Sequence, residues 1–356
     1  MTAAFTPATR LAGLKPYKPS SSQNPSARRM HANEGVMPAS VDLPAALAEL
    51  DLAIYPNAST LEAKLAEVHG VAPDRVVVTA GADDALFRLA FVALEPGRKA
   101  AIFEPTFEMV PRYVQLSGGT AVGVPWLDGP FPEEAFGAAL EADGVCAGFL
   151  VTPSSPAGEV APIEAIERLA DRARAKGVLL VVDLAYVELA DEDPTERLAA
   201  RGDVVITRTF SKAVGLAGVR VGYALCPEPV ADALRTVGQP FNVCAPSLAL
   251  AEAILPRRPE ISAASRDRVR SERARLTDKL AALGARPIES QANFVLARLG
   301  DRATQIAASL DASGFRIRVF SQPGLEGMAR ISCPQDETVF VKFLDALDAA
   351  FSEGYS

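Results

Sequence analysis

Six short, continuous apolar runs constrain this chain more than any other feature. They are Val76–Val78, Ala100–Phe103, Gly148–Val151, Val178–Val182, Val204–Thr207 and Val219–Ala224. A strand with one face in water alternates apolar and polar residues. A run that is apolar throughout suits a strand buried on both faces of a mostly parallel sheet. Between the runs, stretches such as Asp83–Leu94 and Pro162–Lys176 carry helical spacing. Runs and helices alternating from about residue 40 to about residue 320 predict an α/β fold.

After Asn242 the pattern changes. Ala245–Leu255 and the charged stretch Glu260–Leu283 read as long helices. Phe294–Ala297, Phe315–Val319 and Ala329–Ser332 read as short strands, and a helix begins near Asp336, with residues from Glu337 to Phe351 supplying its apolar face. Residues 1–30 are rich in Pro, Ser and Arg without periodicity. We therefore expect an N-terminal arm over residues 1–40 that packs with the smaller unit, a large domain over 41–244 and a smaller α+β domain over 245–356. With 356 residues, 49% of them apolar, the chain can bury one large core and a smaller one.

Composition narrows the function. A net charge of −8 without a basic tract argues against a nucleic-acid partner. Cys146, Cys226, Cys244 and Cys333 lie far apart and read as reduced structural thiols. With only His31 and His69, the chain lacks the imidazoles for a multi-histidine metal site, and no metal is expected. No apolar signal segment or bilayer-length run is visible, so the expectation is a soluble cytoplasmic protein with no membrane partner.

Ligands of open α/β sheets bind at the carboxyl ends of the strands. Five segments here follow an apolar run. Thr79-Ala80-Gly81-Ala82-Asp83-Asp84 opens a helix whose free N–H groups suit a phosphate; an ordinary capped helix would read the same. Glu104-Pro105-Thr106-Phe107 offers an aromatic that could stack on a flat ring or pack in the core. Thr152-Pro153-Ser154-Ser155-Pro156-Ala157-Gly158 combines hydroxyls with a constrained path, as a plain turn also would. Asp183, with Tyr186 three residues on, is a carboxylate ending a buried strand. It needs a cationic partner, such as a protonated pyridine nitrogen, unless it caps a helix. The fifth segment, Thr209 to Arg220, holds Lys212 among hydroxyls and small residues. A lysine amine whose pKa its surroundings depress forms a Schiff base with a carbonyl, and Thr209, Ser211 and Arg220 suit a dianionic phosphate.

The string TFSKAVGLAGVRVGY over 209–223 resembles the lysine segment of the fold-type I, class I/II aminotransferases, which use pyridoxal 5′-phosphate (PLP). Within them it is most similar to the histidinol-phosphate aminotransferase branch. The resemblance runs over nearly the whole chain: LKPY at 14–17, HANEG at 31–35, IYPN at 54–57, TAGADDAL at 79–86, EPTF at 104–107, VVDLAYVEL at 181–189, QANFVLAR at 291–298, GFRIRVF at 314–320 and GMARIS at 327–332. It implies a homodimer with the active site at the subunit interface. Lys212 would carry PLP as a Schiff base, Asp183 would pair with the pyridine nitrogen, and Tyr186 would reach the ring hydroxyl. Phe107 would stack on the ring. The amides of Ala82 and Asp83, with Thr209, Ser211 and Arg220, would hold the phosphate, and Tyr55 would reach it from the neighbouring subunit. Arg330, Arg318, Tyr17 and Asn33 match substrate contacts. The chain departs from the family pattern at Ser155, where asparagine is usual and reaches the ring hydroxyl; Ser155 would make that contact weakly, directly or through water. It departs also at Leu184, where glutamate is frequent, and at His31 and Gly35.

The reaction this implies is transamination in two stages. Lys212, displaced by the donor amine, moves a proton from its α-carbon, and a 2-oxo acid such as 2-oxoglutarate then reverses the sequence with ping-pong kinetics. The donor is expected to be histidinol phosphate or an aromatic amino acid. Two alternatives stay open: another PLP reaction on the same fold, such as a threonine-phosphate-type decarboxylase or a specialised oxidase or lyase, and a non-catalytic PLP-binding module. The latter would need a DNA-binding segment for which residues 1–30 are too short.

Overall fold

The computed structural model describes residues 8–17, 24, 26–39, 42–48 and 50–353. Part of the expected arm (1–7, 18–23, 25 and 40) and the 40/41 boundary lie outside the described residues, as do 49 and 354–356. In chain order the strands are β1 (Arg28–Arg29), β2 (Val76–Thr79), β3 (Lys99–Glu104), β4 (Thr120–Pro125), β5 (Val145–Val151), β6 (Leu179–Asp183), β7 (Val204–Thr209), β8 (Gly222–Leu225), β9 (Arg286–Pro287), β10 (Phe294–Arg298), β11 (Phe315–Arg316), β12 (Arg318–Val319) and β13 (Met328–Ser332).

A seven-stranded sheet in the order β2-β8-β7-β6-β5-β3-β4 forms the centre. Its pairs β3–β4, β3–β5, β5–β6 and β6–β7 are parallel. Strand β8 runs against both of its neighbours, so β2 points the same way as β7. The unbroken apolar runs have the expected cause. Val76, Val78, Leu180, Val182, Val204 and Ile206 enter one core layer, whereas Val77, Val181 and Val205 enter the other. Successive side chains of a strand point to opposite faces, and here both faces are covered. Helices Ala82–Ala93 and Ile163–Lys176 fall where the spacing placed them.

A four-stranded antiparallel sheet, β12-β13-β10-β9, lies later in the chain. It packs with helices Arg258–Ala282, Ala303–Ala312 and Glu337–Ser352 around a core that includes Met30, Leu276, Phe340 and Phe343. Asp336 caps the last helix by accepting from Val339 N at 3.0 Å.

Two expected strands are corrected. Val219–Ala224 is not strand throughout: Ala217–Val219 is a 3-10 turn, Arg220 takes φ 54°, and the strand begins at Gly222. Phe315–Val319 is not one strand. Its first half, β11, pairs in parallel with β1, and its second half, β12, pairs with β13. Residues of the arm thus enter a sheet with the later part of the chain. Strand β4 escaped the sequence reading because it is largely exposed, with only Val124 buried, unlike β2 at the other edge, which is buried throughout.

Candidate active site

Strands β2, β3, β5, β6 and β7 all point the same way, so their carboxyl ends share one edge of the sheet. The five segments singled out in the sequence therefore converge there. Above this edge lies a cavity of about 1060 Å³ whose lining includes Tyr17, Asn33, Phe107, Ser155, Tyr186, Lys212, Arg318 and Arg330.

Lys212 is half-buried at the cavity wall. Its Nζ donates to Asn33 O at 3.1 Å and stands 5.2 Å from the centre of the Tyr186 ring. Asn33 is buried and multiply tied. Its Nδ2 donates to Tyr186 OH at 3.0 Å, its Oδ1 accepts from Ser332 Oγ at 2.9 Å, and its carbonyl also accepts from Asn293 Nδ2 at 3.2 Å. Gly35 allows this docking: a Cβ there would sit 1.9 Å from Lys212 O.

Asp183 ends β6, is 4% exposed, and accepts from Thr207 Oγ1 at 2.6 Å. Burial pushes its carboxyl up to about 6, with Asp83 acting the same way; the Thr207 hydroxyl, the Ala185 amide and Lys212 oppose the shift. The segment that follows it is fixed by a buried ion pair. Glu188 accepts from Arg258 Nε at 2.6 Å and from Ser262 Oγ at 3.0 Å. Burial opposes its charge, but Arg258 and Arg208 outweigh burial and lower its pKa. Arg258 also donates to Tyr223 OH at 2.9 Å and to Thr209 O at 3.4 Å. The long helix Arg258–Ala282 is thereby tied to both the Asp183 and the Lys212 segments.

Beside the cavity is a cradle of small and hydroxyl residues. Thr209 Oγ1 donates to Ser211 Oγ at 3.0 Å, and Arg220 Nη1 donates to the same oxygen at 3.3 Å. Gly81, at φ 86°, precedes the helix starting at Ala82, and a Cβ on it would lie 2.7 Å from Arg220 Nη2. Asp83, next in that helix, accepts from Tyr113 OH at 3.1 Å, and burial raises its pKa.

Across the cavity, Arg318 and Arg330 are direct partners in the register of β12 and β13. Arg318, not Arg316, lines the cavity. Arg330 Nη1 donates to Ser155 Oγ at 3.2 Å and Nη2 to His31 O at 3.1 Å, while its buried Nε has no partner. Burial lowers its pKa. Arg318 Nη2 donates to Glu108 Oε2 at 3.2 Å. Tyr17 joins this group: burial, then Glu108, raises its phenol.

Among the cavity residues not anticipated as site residues, His31 and Glu108 carry ionisable groups beside the arginines. His31 was noted only as a departure. It is held down to about 4 by burial and then by Arg316, Arg29, Arg318 and Arg330. Glu108 lies one residue beyond the EPTF string and gave no sequence signal. Of the expected residues, Ala82, Asp83, Asp183, Thr209, Ser211 and Arg220 stand beside the cavity rather than in its lining, and Tyr55 is 76% exposed and stacks on Phe241 at 4.5 Å.

Comparisons with known proteins agree with this geometry. The family model for aminotransferase class I and II matches residues 20–346. A histidinol-phosphate aminotransferase of Roseiflexus castenholzii is 33% identical over 352 residues, spanning 92% of this chain and 93% of that protein. An aromatic amino acid aminotransferase of Streptomyces coelicolor is 34% identical over 323 residues, spanning 87% and 88%. The crystal structure of histidinol-phosphate aminotransferase from Sinorhizobium meliloti, in complex with pyridoxal-5′-phosphate, superposes with a TM-score of 0.82 at 28% identity and covers 92% of this chain and 91% of that one. The family match spans both sheets and every strand-end segment of the cavity, and it makes this chain a member of the class I and II aminotransferases, a PLP-dependent transaminase.

Proposed function

We propose that this enzyme moves the amino group of an aromatic amino acid to a 2-oxo acid such as 2-oxoglutarate, with Lys212 holding the cofactor. The observation that carries the donor class is Arg330. It is a half-buried guanidinium whose enclosed Nε has no partner; it is bonded to a hydroxyl and a carbonyl, and no ion pair is found for it among the described residues. A buried charge calls for an opposite one, and a donor carboxylate supplies it. Phe107, Trp126, Phe320 and Leu325 also line the cavity and suit an apolar side chain. Histidinol phosphate is the second reading, favoured by Arg318 standing opposite Arg330. A donor panel with 2-oxoglutarate tests the choice: kcat/KM should be higher for phenylalanine or tyrosine than for histidinol phosphate, and the reverse order selects the second reading.

The residues fit PLP. Gly81 keeps clear a helix start facing Arg220, which suits a phosphate, and Asp183 is a buried carboxylate for which no ion pair is found among the described residues. We assign the phosphate to the amides of Ala82 and Asp83 with Thr209, Ser211 and Arg220, the pyridine nitrogen to Asp183, the ring hydroxyl to Tyr186 and a ring face to Phe107. When bound, PLP supplies an electrophilic carbon for the donor amine and a ring that accepts the electron pair left at the α-carbon. Lys212 Nζ is the base that lifts the α-proton. Asn33 orients Tyr186 through its 3.0 Å bond, and Ser155 supports the Arg330 guanidinium.

Asp183 can be tested in the apoprotein. A carboxyl held near 6 when folded, against about 3.9 unfolded, costs stability as pH rises through that window. Asp183→Asn should therefore stabilise the apoprotein at neutral pH by on the order of 2 kcal/mol, and by much less at about pH 4. Urea midpoints at the two pH values check this. A variant with no gain at neutral pH contradicts the assignment.

We further propose a homodimer that shares its sites, with Tyr55 acting across the interface. Leu52, Ile54, Tyr55 and Phe241 are exposed together, and exposed apolar patches mark contact surfaces. Mixing a Tyr55→Phe chain with a Lys212→Ala chain should restore activity through hybrid dimers with one intact site. If both variants are nearly inactive and exchange restores nothing, the sharing is disproved. Four unpaired thiols support a cytoplasmic setting. The separate core around Met30, Leu276 and Phe343 supports a second domain, while Leu248, Ala251, Ile254 and Leu255 still pack into the large core, which supports a division later than residue 244.

A further inference from the structure

Arg318 and Arg330 face each other across β12 and β13, and both guanidinium carbons lie within 6 Å of the Phe320 ring, at 5.7 and 5.8 Å. Like charges placed directly opposite on a sheet destabilise it. Among the described residues only Arg318 has a carboxylate partner: Glu108, reaching from the loop after β3, accepts from it at 3.2 Å. This bond joins the two sheets across the cavity. A third cavity arginine, Arg29, is bound to Glu34 at 2.8 Å.

We propose that Glu108 is a specificity-determining residue that biases the cavity toward donors with one negative charge and against phosphate dianions. It does so in two ways. Its carboxylate occupies Arg318, which leaves Arg330 as the guanidinium that takes an anion. It also places a negative charge where the second charge of a dianion would stand, and such a repulsive element is how a site rejects a competitor. A phosphate dianion engages two guanidinium forks, whereas one carboxylate needs a single fork. The inference rests on the donor reading above and adds the residue that enforces it.

The test uses the PLP-loaded enzyme and two unreactive ligands with the same aromatic body, 3-phenylpropionate and 2-phenylethyl phosphate. Their affinities are measured by calorimetry at about pH 8, where the phosphate is a dianion. Glu108→Gln should raise the ratio of phosphate to carboxylate affinity roughly tenfold or more. Glu108→Asp, which keeps the charge, should leave the ratio near that of the wild type. Adding Arg318→Gln to Glu108→Gln should remove the gain, since the freed arginine causes it. An unchanged ratio in Glu108→Gln, or a gain that survives the loss of Arg318, overturns the proposal. The donor reading fails on different data, the turnover of histidinol phosphate against phenylalanine and tyrosine. The ligand ratio does not depend on that turnover.

Discussion

Lys212→Ala should lower the rate of the donor half-reaction by roughly 10⁴-fold or more, because a positioned acid–base group alone contributes up to about that factor. The physical case rests on position. Lys212 follows β7 on a loop packed against Gly35 and bonded to Asn33 O at 3.1 Å. Its amine is thus held at the wall of the cavity that also contains Tyr186 and Arg330. Among the described residues no other lysine lines that cavity, and Lys212 is the amine the structure places there. Cofactor binding should survive in part, since Asp183, Thr209, Ser211 and Arg220 remain. The half-reaction, followed by cofactor absorbance in single turnover, separates the two effects. A rate within tenfold of the wild type contradicts the role.

Arg330→Gln should cost about 2–5 kcal/mol in kcat/KM for donors with a carboxylate, the range for cutting one side of a buried charge pair. The guanidinium uses two donors on neutral groups, Ser155 Oγ and His31 O, so an incoming carboxylate meets a cation already fixed in orientation. Gln keeps polarity and loses the charge. A donor amine of the same aromatic body without a carboxylate should lose far less. Equal losses for both would mean that Arg330 supports the cavity rather than binds the donor. Arg318→Gln should cost the carboxylate donor less than Arg330→Gln, because Glu108 already neutralises Arg318.

How much of this was legible in the sequence depended on range. The central sheet was readable because burial on both faces leaves an unbroken apolar run within each of β5, β6 and β7. Strand β4 was not, since all of it but Val124 is at least partly exposed. The split of residues 315–319 was invisible because β11 pairs with a segment of the arm, a partner that no local pattern announces. The strand-end segments were legible because one sheet direction brings every carboxyl end to one edge. What escaped were contacts between distant parts of the chain. Glu108 meets Arg318 across 210 positions and Ser155 meets Arg330 across 175. The Glu188–Arg258 tie spans 70. His31 is held low first by burial and then by arginines from several segments. Ser155 was read as a short stand-in for asparagine at the ring, and its observed partner, Arg330, comes from the other sheet.

The central claim is that Lys212 is the residue that binds PLP covalently. Borohydride reduction of the yellow, PLP-loaded enzyme followed by peptide mapping tests it directly. The account predicts one pyridoxyl adduct, on the peptide containing Lys212, and none in Lys212→Ala. An adduct on any other lysine, or a loaded enzyme in which reduction fixes no cofactor, would contradict it.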